Sequence, residues 1–281
     1  MNFLLWELRR KIAPMSSSAA SPLIFSLSFV FKTMDTTEAQ SVSERVLQVL
    51  VTVARHGRPI AAREIAAQTS LPLSTVYRHL VPLKKWGLVQ EHAHEALYEP
   101  GPVGVQLAWG FDHNSHLVTQ AREEIDALVQ RTGETVGLLV AANGQVVCLD
   151  MHESEQSLRC SFAKGRAHPL VHGASAKALL SFLPQATRES LIGRQLAGQP
   201  VAQERLAAQV EEIRKQRYAV SESEVDFGVW GVSAPVFAAK ERLEGTITLM
   251  APAVRVAQRH EELIRLTVAA AERISNRLQY F

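Results

Sequence analysis

Ala62-Arg-Glu-Ile-Ala-Ala-Gln-Thr-Ser-Leu-Pro-Leu-Ser-Thr-Val-Tyr-Arg-His-Leu80 reads as a short helix, a tight turn and a second helix. Ile65 and Ala66 supply the buried side of the first helix, and Val76, Leu80 and Leu83 recur at the spacing that turns one helical face inward. Pro72 suits the first turn of the second helix, where an amide N–H has no intrahelical partner. The outward face carries Ser74, Thr75, Tyr77 and Arg78, and Arg63 and His79 are the remaining candidate contacts. Hydroxyls, a phenol and a guanidinium suit phosphates and base edges, and a helix-turn-helix delivers them into a DNA major groove.

The flanking sequence completes a small domain. Ser41-Val-Ser-Glu44 fits a capping box, and Val42, Val46, Val49, Leu50 and Val53 continue at helical spacing until His56-Gly57 and Pro59 end the helix. Gly87 closes the later helix, and Leu88-Val-Gln90 and Leu97-Tyr-Glu99 flank a polar turn as a two-stranded wing. Between residues 45 and 85 seven bases face one acid, Glu64, so this unit carries +6 while the whole chain carries +2. Such a concentration is an electrostatic footprint for nucleic acid.

Bulk properties exclude several classes. At 281 residues, 47% hydrophobic and 21% charged, the chain can bury one large or two ordinary cores and is no disordered polymer. Cys148 and Cys160 make no disulfide framework, which fits a reducing cytoplasm. His152, Cys160, His168 and His172 match no zinc spacing, so neither metal nor cofactor is expected. Nucleophile-elbow, phosphate-loop and zincin motifs are absent, and Ser175 with Lys177 lacks the S-x-x-K spacing; the rival reading as an enzyme is set aside. Residues 1–34 hold a basic start and an apolar run at 22–31 too short to span a bilayer. They read as a disordered extension, or as a misassigned start with Met34 the true one.

Beyond residue 101 the pattern changes. Pro102–Ala108 reads as a helical linker into a longer helix bearing Val118, Ala121, Ile125 and Leu128, which ends at Thr132-Gly133. Strand-like runs at 136–141 and 145–151 flank Asn143-Gly144, a strong hairpin signal. Helices are predicted over 175–182 and 203–217, strands over 231–237 and 245–250, and a final helix bears Ile264, Val268, Ala271 and Leu278. The second unit is therefore α+β with an antiparallel sheet.

These residues resemble the IclR family of bacterial transcription regulators from about Ser41 to Leu278. The first half of the match is Arg63-Glu-Ile-Ala66, Leu71-Pro-Leu-Ser-Thr-Val-Tyr-Arg78, Gly87-Leu-Val89 and Tyr98-Glu-Pro-Gly101. The second half is Pro169-Leu170, Ala174-Ser-Ala-Lys-Ala-Leu-Leu180, Tyr218-Ala-Val220 with Glu224, Ala234-Pro-Val-Phe237, and Pro252 with Arg255. The resemblance implies an α+β chain: a winged helix-turn-helix domain at 35–101, a linker helix at 102–117 and a GAF-like effector-binding domain at 118–281. It also implies a homodimer or dimer of dimers on operator DNA, responding to a small organic or aromatic acid. Repression and activation are left open. A protein that binds partners without a ligand is the other rival, and ligand-dependent release from DNA separates the two.

Departures from the family mark where this chain differs. Ser70 stands where the turn often has glycine, Pro82 lies inside the recognition helix and predicts a kink there, and His92-Ala-His-Glu-Ala96 lacks the wing arginine. Arg78 suits either a bidentate guanine contact or a phosphate contact. By position, the family's effector contacts fall on Ala174, Ser175, Ser221, Gly231, Thr248 and Met250. Met250 is either core or pocket wall; as wall, its thioether implies a larger or less polar ligand than a two-carbon acid.

Overall fold

The computed structural model describes residues 41–92, 95–161 and 163–279; the extension expected over 1–34 and part of the wing tip lie outside them. The chain begins with α1 (Val42–His56), β1 (Ile60–Ala61), α2 (Ala62–Thr69), α3 (Leu73–Lys85), β2 (Val89–His92) and β3 (Leu97–Pro100). The capping box forms as expected: Ser41 Oγ accepts from the Glu44 N–H at 3.2 Å, and Glu44 Oε2 accepts from the Ser41 N–H at 2.7 Å. The inward residues of three helices meet in one core of Val49, Val53, Ile60, Ile65, Val76, Leu80 and Leu83, closed by Val89 and Tyr98 from the wing.

Three details differ from the sequence reading. Pro72 is the N-cap of α3 and so lies one residue ahead of its first turn. The helix continues for three residues past Pro82, and the Trp86 N–H donates to the Pro82 carbonyl at 3.0 Å. The wing sheet has three strands in the order β1-β3-β2, because Ile60 and Ala61 pair with Tyr98 and Leu97. A two-residue strand is too short to show a period.

At the base of the wing two backbones cross. A Cβ on Gly101 would lie 2.2 Å from the Gly87 carbonyl oxygen, so only glycine permits the approach. From there springs α4 (Val103–Asn114), a linker helix with no buried residue. It stops at Ser115, whose hydroxyl accepts from the Val118 N–H at 3.4 Å and starts α5 (His116–Thr132).

The rest of the chain is β4 (Thr135–Ala142), β5 (Gln145–His152), β6 (Ala167–Pro169), α6 (Ala174–Phe182), α7 (Gln185–Gln195), α8 (Pro200–Gln216), β7 (Ala219–Glu222), β8 (Val229–Ala238), β9 (Arg242–Pro252) and α9 (His260–Leu278). The strands form one antiparallel sheet in the order β6-β5-β4-β9-β8-β7. Asn143 (φ 51°) and Gly144 (φ 72°) make the left-handed turn that the hairpin signal predicts. Side chains alternate across the pleat. Trp230, Val232, Ala234 and Val236 of β8, with Ile247, Leu249 and Ala251 of β9, pack in one core with α5 and α9. The intervening residues face α6, so the pleat itself divides core from cavity.

Candidate functional site

Of the candidate contacts on α3, Ser74, Tyr77 and Arg78 are exposed and Thr75 is half-buried, and Arg63 of α2 is exposed as well. His79 does not belong to this face. It is only 3% exposed and sits with Val76, Leu80 and Leu83 in an i, i+3, i+4, i+7 set, which places it on the core side of the helix. Burial, and then the charges of Arg78 and Arg45, hold its imidazole below the usual histidine range. Val81, missed in the sequence reading, extends the outward face; its signal is its place three and four residues beyond Arg78 and Tyr77.

The wing is fastened to this helix by charge. Lys84 pairs with Glu91 of β2, and the Tyr98 hydroxyl donates to the other Glu91 oxygen at 3.1 Å. The hydrogen bond from Lys84 lowers the Glu91 carboxyl, while burial and the neighbouring Glu91 push the Tyr98 phenol up to about 12. Lys84 is thus a strut between helix and wing.

In the second half of the chain, Ala174, Ser175, Ser221, Gly231, Thr248 and Met250 all line one cavity of about 420 Å³. Strand register brings them together. Ser221 lies opposite Gly231, Gly231 opposite Met250, and Ser233 opposite Thr248, so neighbouring strands present them in adjacent rows on the α6 face. The Ser233 and Thr248 hydroxyls share a hydrogen bond of 2.8 Å. Met250 is 3% exposed to solvent yet lines the cavity, so it is pocket wall. A Cβ on Gly231 would meet its nearest neighbours at 3.7–3.8 Å, ordinary contact distances that leave the space beside it open.

The amino terminus of α6, from Gly173 to Ser175, lines this space. Gly173 takes φ 87° and ψ 161°, a region other residues avoid, and a Cβ there would lie 2.8 Å from Val225 Cγ2. The Gly173 N–H donates to Glu224 Oε2 at 3.0 Å, and the Ala174 N–H donates to Ser221 Oγ at 2.9 Å. The Ser175 and Ala176 N–H groups have no protein acceptor among the described residues, and neither does the Ser175 hydroxyl, although Ser175 is 3% exposed. Donors without acceptors at a helix amino terminus suit an anionic group. Lys177 donates to Glu224 Oε1 at 2.6 Å and to the Val220 carbonyl at 3.2 Å, so it is a strut between α6 and β7.

The mouth of the cavity was not legible in the sequence. Leu158, Cys160, Val225, Phe227 and Val254 line it from loops that have no period. The loop after β5 is held by Arg255, which clasps buried Glu134 at 2.8 and 2.5 Å and donates to the Leu158 carbonyl at 2.7 Å. Burial and the charge of Glu134 push the Cys160 thiol up, away from thiolate reactivity. Among the described residues no three of His, Cys, Asp and Glu converge as a metal site; His152 instead pairs with Asp126. Nor is any described helix long and apolar enough to cross a membrane.

Comparisons with known proteins address the same two regions. The IclR helix-turn-helix domain model matches residues 43–93, and the model of the carboxy-terminal domain of the bacterial transcriptional regulator IclR matches residues 111–276. The chain is 27% identical over 221 residues to the HTH-type transcriptional regulator BhcR of Paracoccus denitrificans, covering 76% of this chain and 78% of that one. It is 24% identical over 248 residues to the acetate operon repressor of Salmonella typhimurium, covering 85% and 90%. The crystal structure of an IclR family regulator from Brucella abortus superposes with a TM-score of 0.75 at 19% identity, over 86% of this chain and 93% of that one, which shows a shared fold.

Proposed function

The chain belongs to the IclR family of bacterial transcriptional regulators, and from that premise we propose that it controls a catabolic operon in response to a small organic or aromatic acid. In this reading residues 35–101 bind operator DNA, 102–117 link, and 118–281 take the effector. The observation that carries it is the cavity. Six residues from distant segments converge there, and Ser175 brings an amide and a hydroxyl that have no acceptor among the described residues. A carboxylate would complete those donors. Ser221 Oγ already accepts from Ala174, so its own proton is free to reach the same group.

Arg78 reads base edges, Ser74, Thr75 and Tyr77 hold phosphates or thymine methyls, and Arg63 adds a phosphate contact. A homodimer or dimer of dimers fits the linker helix, which exposes Val105, Leu107, Trp109 and Phe111 with no partner element over them among the described residues. The working place is the cytoplasm, where operator DNA is. The test is a fluorescence-anisotropy titration of the full chain on the DNA flanking its own gene and on scrambled DNA, with and without a panel of carboxylic acids. Specific binding that one acid shifts at constant salt is the expected result. Equal affinity for both DNAs, with no acid acting, overturns the reading.

A further inference from the structure

The cavity changes character from its inner end to its mouth. Inside are the α6 amides and the Ser175 and Ser221 hydroxyls. Around the opening stand Leu158 at 63% exposure, Val225 at 44%, Val254 at 82% and Phe227 at 99%. These four come from three separate segments, two loops and the short 3-10 turn Ala253–Arg255, so their meeting at one opening is a product of the fold and not of a local apolar run. Large apolar side chains gathered in the open mark a binding surface. Their continuity with the cavity wall, through Val229, Met250 and Pro252, says that the surface belongs to whatever fills the cavity.

Two further observations set the orientation of that ligand. Asp226, the only acid among the described lining residues, is exposed beside Phe227 and would repel a carboxylate at the mouth. Arg159, which could attract one there, is engaged by Glu153 at 2.8 Å. The loop that carries Phe227 is closed at its base, where the Ser223 N–H donates to the Val229 carbonyl at 2.8 Å and the Gly228 N–H to Ser223 Oγ at 3.0 Å. Phe227 is therefore held over the opening by a tied loop while its ring touches water on all sides.

We propose that Phe227, with Leu158, Val225 and Val254, forms an apolar outer subsite, so that the effector is an amphipathic acid with its carboxylate at α6 and an acyl or aryl body reaching the mouth. Phe227 is then a specificity-determining residue. The proposal rests on the reading of this cavity as the effector site. Two-carbon acids carry no apolar body to bury there, so the subsite adds nothing to their binding.

The experiment is calorimetry of the full chain with acetate, butyrate, hexanoate, octanoate and phenylacetate, on the wild type, Phe227→Ser and Ser175→Val. Exposure of Phe227 means the first variant should fold as the wild type does, which circular dichroism checks. Affinity should rise about fourfold for each methylene that enters the subsite. Phe227→Ser should weaken octanoate and phenylacetate roughly tenfold and leave acetate unchanged, while Ser175→Val weakens every acid. If acids bind with no dependence on length or on Phe227, the outer subsite is wrong and the effector reading stands. If no acid binds, the effector reading falls and takes the subsite with it. If Phe227→Ser leaves every acid unaffected but lowers the sedimentation coefficient, the patch is a contact between copies of the chain, and the proposal is overturned.

Discussion

The recognition helix and the cavity are both places where polar side chains await a partner, and they are built in opposite ways. Ser74, Tyr77 and Arg78 share one face because five consecutive residues follow a helical period. The cavity draws Ala174, Ser221, Gly231 and Met250 from segments up to 76 residues apart, aligned by the pairing of three strands. A local device tolerates change elsewhere, whereas a register-built device depends on everything that holds the sheet and its loops in place. A slip of one residue in β9 would turn Met250 and Thr248 to the opposite face and bring Leu249 into the cavity.

The sharpest way to break this comparison is a remote change that harms only the cavity. Arg255→Ala leaves Glu134, whose side chain is 3% exposed, without its partner and frees the Leu158 carbonyl. Removing one member of a buried pair should cost ~3 kcal/mol in urea denaturation and loosen the mouth. Operator affinity measured below the unfolding transition should hold. A parallel loss of DNA affinity would show that the two regions are not independent.

Filling the cavity from within is the next test. Gly231→Leu should abolish acid binding in calorimetry, because its side chain enters the open space next to Ser221 and Ala174. The overpacking cost should stay within ~1–3 kcal/mol, with DNA affinity near wild type. Undiminished ligand binding in the folded variant would move the effector site elsewhere.

On the helix, Arg78→Ala should cost ~1–3 kcal/mol on operator DNA and less on random DNA. Equal losses would make Arg78 a phosphate contact only. Such a change should leave acid binding in the cavity untouched, which sharpens the comparison from the other side.

The smallest effect concerns His79. Its folded-state titration is depressed by burial, so the unfolded chain takes up a proton first as acid is added. The contribution is therefore fully present above the ordinary histidine range and is lost as pH falls through it toward the lowered folded value. Thermal melts between pH 7 and 5 should show a decline that His79→Leu flattens, while operator affinity at pH 7 stays unchanged. A drop in affinity in that variant would return His79 to the DNA face.

How much was legible follows the same division. The capping box at Ser41, the turn at Asn143-Gly144 and the inward faces of α1 to α3 were readable, because each rests on contacts within a few residues along the chain. The burial of His79 is legible as well: the period that puts Val76 and Leu80 inside also puts residue 79 there. Strands β1 and β6 are too short to show a pattern.

By itself the sequence determined the two domain types, the outward side of α3 and, through its resemblance to a family, which six residues are proposed for an effector site. Only the tertiary structure decided that those six share one cavity, and that Leu158, Val225, Phe227 and Val254 crown it. The reason is the range of the forces. Capping, turn geometry and helical period act between near neighbours and leave their mark in local sequence. Strand register and the meeting of loops come from pairings across tens to more than a hundred residues, as between Glu134 and Arg255, and no local pattern encodes those.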